Sequence, residues 1–332
     1  MSQKFISHRE KLQACLNGEL SGVPVAFWRH FPVDDQDPDR LIAAQIQFQN
    51  TYNFDFVKIS PSSSYCLVDW GIETRWSGNP EGTRDYLNPI IQKPQDWEKL
   101  KVLDPNKGAL EGNLRCIKTL CAHFSPQTPV IATIFSPMAQ AKNLAGRERL
   151  LAHMRQYPDA VLQGLQIITQ SIERFVDEAI KLGIDGVFYA IQHGQHHLVT
   201  ANAFNQFQWQ FDQIILEHTR ELWLNVGHLH GENVLFEQVK EYPFAILNWH
   251  DRQTAPTLSE AQKTFNGAVC GGIRQWDTLV YGTAHDVTAE AKDAILSTYG
   301  RKFILGSGCV VPVTAPHGTL MAAIEAAHSF EE

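Results

Sequence analysis

The chain has 332 residues, 44% of them hydrophobic, 19% charged and 10% aromatic, with a net charge of −8. A chain this long buries a core without staples, and the composition excludes collagen-like, disordered and coiled-coil classes. The acidic balance argues against a general nucleic-acid or anionic-membrane surface, which needs a basic footprint.

Six cysteines, at 15, 66, 116, 121, 270 and 309, form no CxxC pair. Free thiols in a reducing cytoplasm are expected. Met1-Ser2-Gln3-Lys4 leads straight into polar, helix-like text, so no signal sequence is expected. No apolar run reaches the length of about 18 residues that a membrane span needs.

The first helix is predicted over Phe5 to Asn17 and the first strand over Val23–Trp28. A helix near Pro38–Asn50 leads to a second strand, Phe54–Ile59. A long polar loop follows from Ser60 to about Pro94. Helical text over Gly108–Phe124 precedes a third strand, Pro129–Phe135. Pro137–Leu182 reads as two or three helices, and Gly186–Ile191 as the fourth strand. The aromatic stretch Phe204–Phe211, at helical spacing, reads as packing surface. Four more strands are predicted: Leu222–Val226, Phe244–Trp249, Gly267–Gly272 and Phe303–Leu305. A last helix lies near Pro316–His328. Strands alternating with helices mean a parallel sheet, and eight units suggest a single (β/α)8 TIM barrel over 1–332. The alternative is a doubly wound open sheet, but no GxGxxG follows the first strand.

Active groups of such barrels sit at the C-terminal strand ends. Those ends are crowded with polar residues. His228 and His230 are two apart, so in extended chain they face one side. Cys309, ending the eighth strand, is the candidate third ligand. Two nitrogens, one sulfur and an open position describe a catalytic zinc site. The same His-x-His also fits hydrogen-bonded imidazoles without metal. His193, His196 and His197 carry no signal fixing their direction. Arg29 and Lys58 offer cations for an anionic substrate, or ion pairs with Asp55 or Asp69. Gln192, His193, His250 and Arg274 are further candidate substrate contacts. Asp251-Arg252 reads as a structural pair.

His8-Arg9-Glu10-Lys11-Leu12 through Gly18-Glu19, then Val23-Pro24-Val25, resembles the opening of the uroporphyrinogen decarboxylase superfamily. Asn248-Trp249 stands where that superfamily has an aspartate-tryptophan-like strand end, and Gly271-Gly272-Ile273 where it has a glycine-asparagine segment. Phe303–Thr314 with Ala315-Pro316 is similar to its last strand and helix. The resemblance implies a (β/α)8 barrel. True uroporphyrinogen decarboxylases use no metal, and bind substrate carboxylates with two arginines after strand one and an aspartate after strand two. Here Arg29 matches the first arginine. His30-Phe31-Pro32-Val33 lacks the second, Lys58-Ile59-Ser60-Pro61 lacks the aspartate, and Ser307 replaces a histidine. The methylcobamide:coenzyme M methyltransferase branch holds zinc with His-x-Cys after strand five and Cys after strand eight. His228-Leu229-His230-Gly231 resembles that element with His230 in place of cysteine, and Cys309 lies where the last cysteine is expected.

The resemblance thus implies a zinc-dependent methyltransferase. Its ligands are His228, His230 and Cys309, with Glu232 or His250 steadying them. The methyl donor is a methylated corrinoid on a separate protein, because the chain reads as one domain. The acceptor is a small molecule, such as a thiol. The competing readings are a metal-free decarboxylase of uroporphyrinogen or another acidic substrate, and a non-catalytic barrel that binds a corrinoid or tetrapyrrole. Oligomeric state is not indicated.

Overall fold

The computed structural model describes residues 7–20 and 22–330. Met1–Lys4 and the first two residues of the expected opening helix, Phe5 and Ile6, lie outside them. That helix spans His8–Leu16, capped by Ser7, whose hydroxyl accepts from the Glu10 amide.

Seven strands form one parallel sheet: β1 (Val57–Lys58), β4 (Val130–Phe135), β5 (Gly186–Ile191), β6 (Val226–Leu229), β7 (Ile246–Trp249), β8 (Ala268–Ile273) and β9 (Phe303–Ser307). They pair in that order. Every one of their residues is buried. This explains why they read as apolar runs rather than alternating ones: helices cover one face and the interior fills the other. The Pro158–Lys181 helix shows the covering pattern, burying Leu165, Ile168, Ile172, Phe175 and Val176 on one stripe.

The expected first strand is the main difference. Val23–Trp28 makes one parallel bridge, Val25 to Leu305. The Ala26 amide donates to Leu305 O at 2.9 Å, and Leu305 N donates to Pro24 O at 2.8 Å. On the other side Asp55 N donates to Val25 O at 2.9 Å. The segment therefore lies between β9 and the approach to β1. Pro24 has no amide hydrogen, so it cannot extend a ladder. Among the described residues the curled sheet counts seven strands, and this segment hydrogen-bonds to β9 and to Asp55, two residues before β1.

The fifth expected strand is displaced towards the C-terminus, from Leu222–Val226 to Val226–Leu229. The Asn225 side chain holds a turn there, donating to Thr219 O and Leu222 O and accepting from Val187 N. The shift puts His228 inside the strand and His230 just past its end. The long loop after β1 contains a feature the sequence reading lacks: an antiparallel hairpin of β2 (Thr74–Arg75) and β3 (Asp85–Tyr86). The Phe204–Phe211 stretch includes a π-helical turn, Asn205–Trp209, and buries Phe204, Phe207 and Phe211. Among the described residues no helix is long and apolar enough to cross a membrane.

Candidate metal centre

β6 and β9 bring His228, His230 and Cys309 together. One ligand atom from each lies within 4.8 Å of the others. Cys309 Sγ is 3.7 Å from His228 Nε2 and 3.6 Å from His230 Nδ1. Metal–nitrogen bonds of about 2.0–2.1 Å and a metal–sulfur bond of about 2.3 Å, set tetrahedrally, give N···S edges of about 3.6 Å. The two N···S edges fit a zinc ion, and the donor set suits its softness.

Each of the three side chains is held from behind. Asn248, on β7, donates through Nδ2 to Cys270 O at 2.9 Å and Ser307 O at 3.0 Å. Its Oδ1 must then accept from His228 Nδ1, 2.6 Å away. This leaves the Nε2 lone pair of His228 bare, facing Cys309. Phe188 stacks on the His228 ring at 5.2 Å. His230 N donates to Ile191 O, and its carbonyl accepts from Gln195 Nε2. Gly308 sets the height of Cys309, since a Cβ there would stand 2.7 Å from His250 Cα.

Burial dominates the electrostatics. It pushes His228 well below the usual imidazole range, with His230 and His250 adding to the effect. It takes His230 down to about 4, helped by His250, Lys142 and Arg147. Both imidazoles are neutral, as ligands must be. Burial and then the Glu81 carboxylate raise the Cys309 thiol to about 12. Burial lowers Lys58 to about 7, and its Nζ sits over the Phe188 ring and donates to Ser60 Oγ.

His250 lies beside the centre, 5.4 Å from the His230 ring, with a buried Nε2 that has no partner. Its Nδ1 contacts Gln253. Gln192 Oε1 and both nitrogens of His193 are likewise buried without partners. Lys58 also faces inward.

Three expectations are corrected. Arg29 does not face the centre: Trp28 points inward, 5.0 Å from Phe188, so the next side chain points out. The Arg29 guanidinium lies over Phe31 and Phe48, at the Pro38–Tyr52 helix. Arg274 is tied to Glu290. Glu232 is exposed, because Gly231 with φ of +96° turns the chain away after His230. His196 and His197 are exposed. Asp251 and Arg252 are structural, as read: Asp251 accepts from Gly272 N, and Arg252 reaches Asp293.

Sequence reasoning missed His30, Asn248, Glu81, Lys142 and Arg147. Val23–Trp28 is apolar on both faces and gives no phase that points to His30, which lies inward where Lys58 acts on it. Lys142 and Arg147 flank the end of the Pro137–Ala145 helix and act on both His193 and His230. Glu81 lies in the turn of the hairpin.

A search of curated proteins gives no match. Among solved structures, a methyltransferase from Methanosarcina mazei superposes with a TM-score of 0.85 at 18% identity, covering 97% of this chain and 98% of that one. A B12-independent methionine synthase from Shewanella sp. W3-18-1, in complex with selenomethionine, superposes with a TM-score of 0.56 at 14% identity, covering 92% of each chain. Both likenesses are of fold. The family model for uroporphyrinogen decarboxylase (URO-D) matches residues 29–330, and the chain belongs to that family.

Proposed function

We propose that this protein is a zinc-dependent methyltransferase, built on a (β/α)8 barrel with Val23–Trp28 as its first stave. One observation carries the reading: the Cys309 sulfur lies 3.7 and 3.6 Å from two imidazole nitrogens, the N···S edges of a tetrahedral site, and the His228 nitrogen is bared by Asn248. The fold likeness to a methyltransferase supports it. So does the outward turn of Arg29, which removes the match to a carboxylate-anchoring arginine.

His228 Nε2, His230 Nδ1 and Cys309 Sγ would hold the ion. Bound zinc lowers the pKa of a thiol it coordinates, so that a small thiol acceptor is anionic at neutral pH. The chain's own residues do the rest. Asn248 holds the His228 ring in one tautomer. Gln195 restrains the backbone of His230. Gln192, His193 and His250 present unpartnered polar atoms to the substrate. The donor is proposed as a methylated corrinoid on a separate protein. Such a corrinoid would supply an electrophilic methyl group to the acceptor sulfur and would keep the electron pair of the bond that it gives up. The six free, buried cysteines fit a reducing compartment such as the cytoplasm.

The experiment is metal analysis of protein purified without chelator, followed by methyl transfer from methylcobalamin to a panel of small thiols. One zinc per chain and thiol methylation are expected. Metal-free protein that releases carbon dioxide from uroporphyrinogen would overturn the reading in favour of a decarboxylase. Tight tetrapyrrole binding without turnover would favour a binding barrel.

A further inference from the structure

The hairpin turn is tied to the mouth of the sheet at several points. Val313 N donates to Pro80 O at 2.7 Å, and Arg84 donates to Pro32 O at 3.0 Å. Gly82, with φ of +76°, packs so closely that a Cβ would stand 2.6 Å from His30 Cβ. Glu81 lies between these ties. Its Oε1 accepts from Gln275 Nε2 at 3.1 Å, and the same Nε2 donates to Val310 O at 2.7 Å. Gln275 is buried. A buried amide thus clamps the Glu81 carboxylate to the residue that follows Cys309.

Lys58 acts on Cys309, and Lys142 and Arg147 act on His230, but none of the three forms an ion pair with Glu81 among the described residues. Among the described residues Glu81 has no ion-pair partner. Its charge acts on Cys309. It also acts on His250. Two neutral imidazoles and one thiolate leave a divalent ion with a residual charge of +1. A second thiolate in place of His230 would have cancelled it. One carboxylate cancels it equally well.

Resting on the metal reading above, we propose that Glu81 is the counter-charge of the centre. It is a positioning residue on the hairpin that offsets the residual charge of a cation in the His-His-Cys site and raises the affinity for it, without being one of the three ligands. The hairpin is then a functional part of the metal site.

The test uses zinc alone. Metal-stripped full-length protein is titrated with zinc against a chromophoric chelator, for wild type and Glu81→Gln. Glutamine keeps an oxygen that accepts from Gln275, so the substitution removes charge and keeps the tether. Zinc affinity is expected to fall about tenfold, the low end of what removing a supporting group costs. The metal-free variant is expected to melt no lower than wild type, because the carboxylate opposes nothing useful there. Equal zinc affinity in the two proteins overturns the proposal and leaves the metal reading intact. A wild type that takes up no zinc overturns both. Gln275→Leu separates charge from tether: a loss of affinity in Gln275→Leu with none in Glu81→Gln would make the hairpin a structural support only, and also overturns the proposal.

Discussion

Asn248 stands 2.6 Å from Nδ1 of His228 and is pinned on its other side by two backbone carbonyls, so towards the histidine it acts only as an acceptor. The choice of ring nitrogen at the centre is made by a residue that touches no ligand atom. Replacing Asn248 by Leu removes that choice. It also strands the His228 N–H and the carbonyls of Cys270 and Ser307. Zinc affinity is expected to fall by about 10- to 100-fold. Stability is expected to fall by about 1–3 kcal/mol for the stranded groups. Chelator competition and urea unfolding measure the two separately.

Cys309→Ser tests the sulfur. A hydroxyl is a far poorer ligand for zinc than a thiolate. The variant is expected to be purified without stoichiometric zinc and to lose methyl transfer, while its far-UV circular dichroism matches wild type. Full zinc retention in the serine variant would show that the ion, if present, is held elsewhere.

Arg29→Met tests the corrected position of that residue. The guanidinium rests on Phe31 and Phe48 at 5.2 and 6.0 Å. Losing this contact is expected to cost about 0.5–1 kcal/mol in urea unfolding. KM for an anionic substrate is expected to stay within about twofold of wild type, because uniform binding energy is untouched. A rise of about tenfold or more would return Arg29 to the substrate site.

Asp212 gives a pH signature. It is fully buried and accepts from Tyr189 at 2.6 Å and Tyr242 at 2.8 Å. Burial raises its carboxyl from 3.8 to about 7, against the pull of both tyrosines. The folded state therefore holds a proton that the unfolded chain has released. This makes stability fall as pH rises through that window, then level off. Asp251, raised to about 7 by burial, adds the same sign. The buried histidines act oppositely, so the clean measurement is a difference. Asp212→Asn is expected to gain stability relative to wild type as pH rises from 4 to about 7 and to hold that difference above it. A pH-independent difference in urea midpoints would contradict the raised carboxyl.

The parts of this protein legible in its sequence are those whose spacing is local. Alternating strand and helix text located the sheet, and His228 with His230 followed from a two-residue repeat. Cys309 followed from its place at the end of the last strand. The rest depended on phase or on long-range pairing. Val23–Trp28 is apolar on both faces, so nothing in it announced that Trp28 turns in and Arg29 out. Glu232 continued the His-x-His repeat on paper, but Gly231 with positive φ breaks the alternation. Glu81 reaches the centre through a hairpin made of two-residue strands, too short to carry a pattern, and through Gln275, 194 residues away.

The three side chains of the candidate centre span 81 residues, and the last of them follows β9, the last strand of the sheet. A chain folded only as far as β8 owns a His-x-His pair and nothing to close it. The site is therefore complete only once β9 has docked, alongside the segment whose ladder Pro24 keeps thin. An ion held there would tie the chain after β6 to the chain after β9, across the sheet. Its binding energy would add to folding. Metal uptake during refolding would then report the docking of β9 rather than the formation of the helices around it.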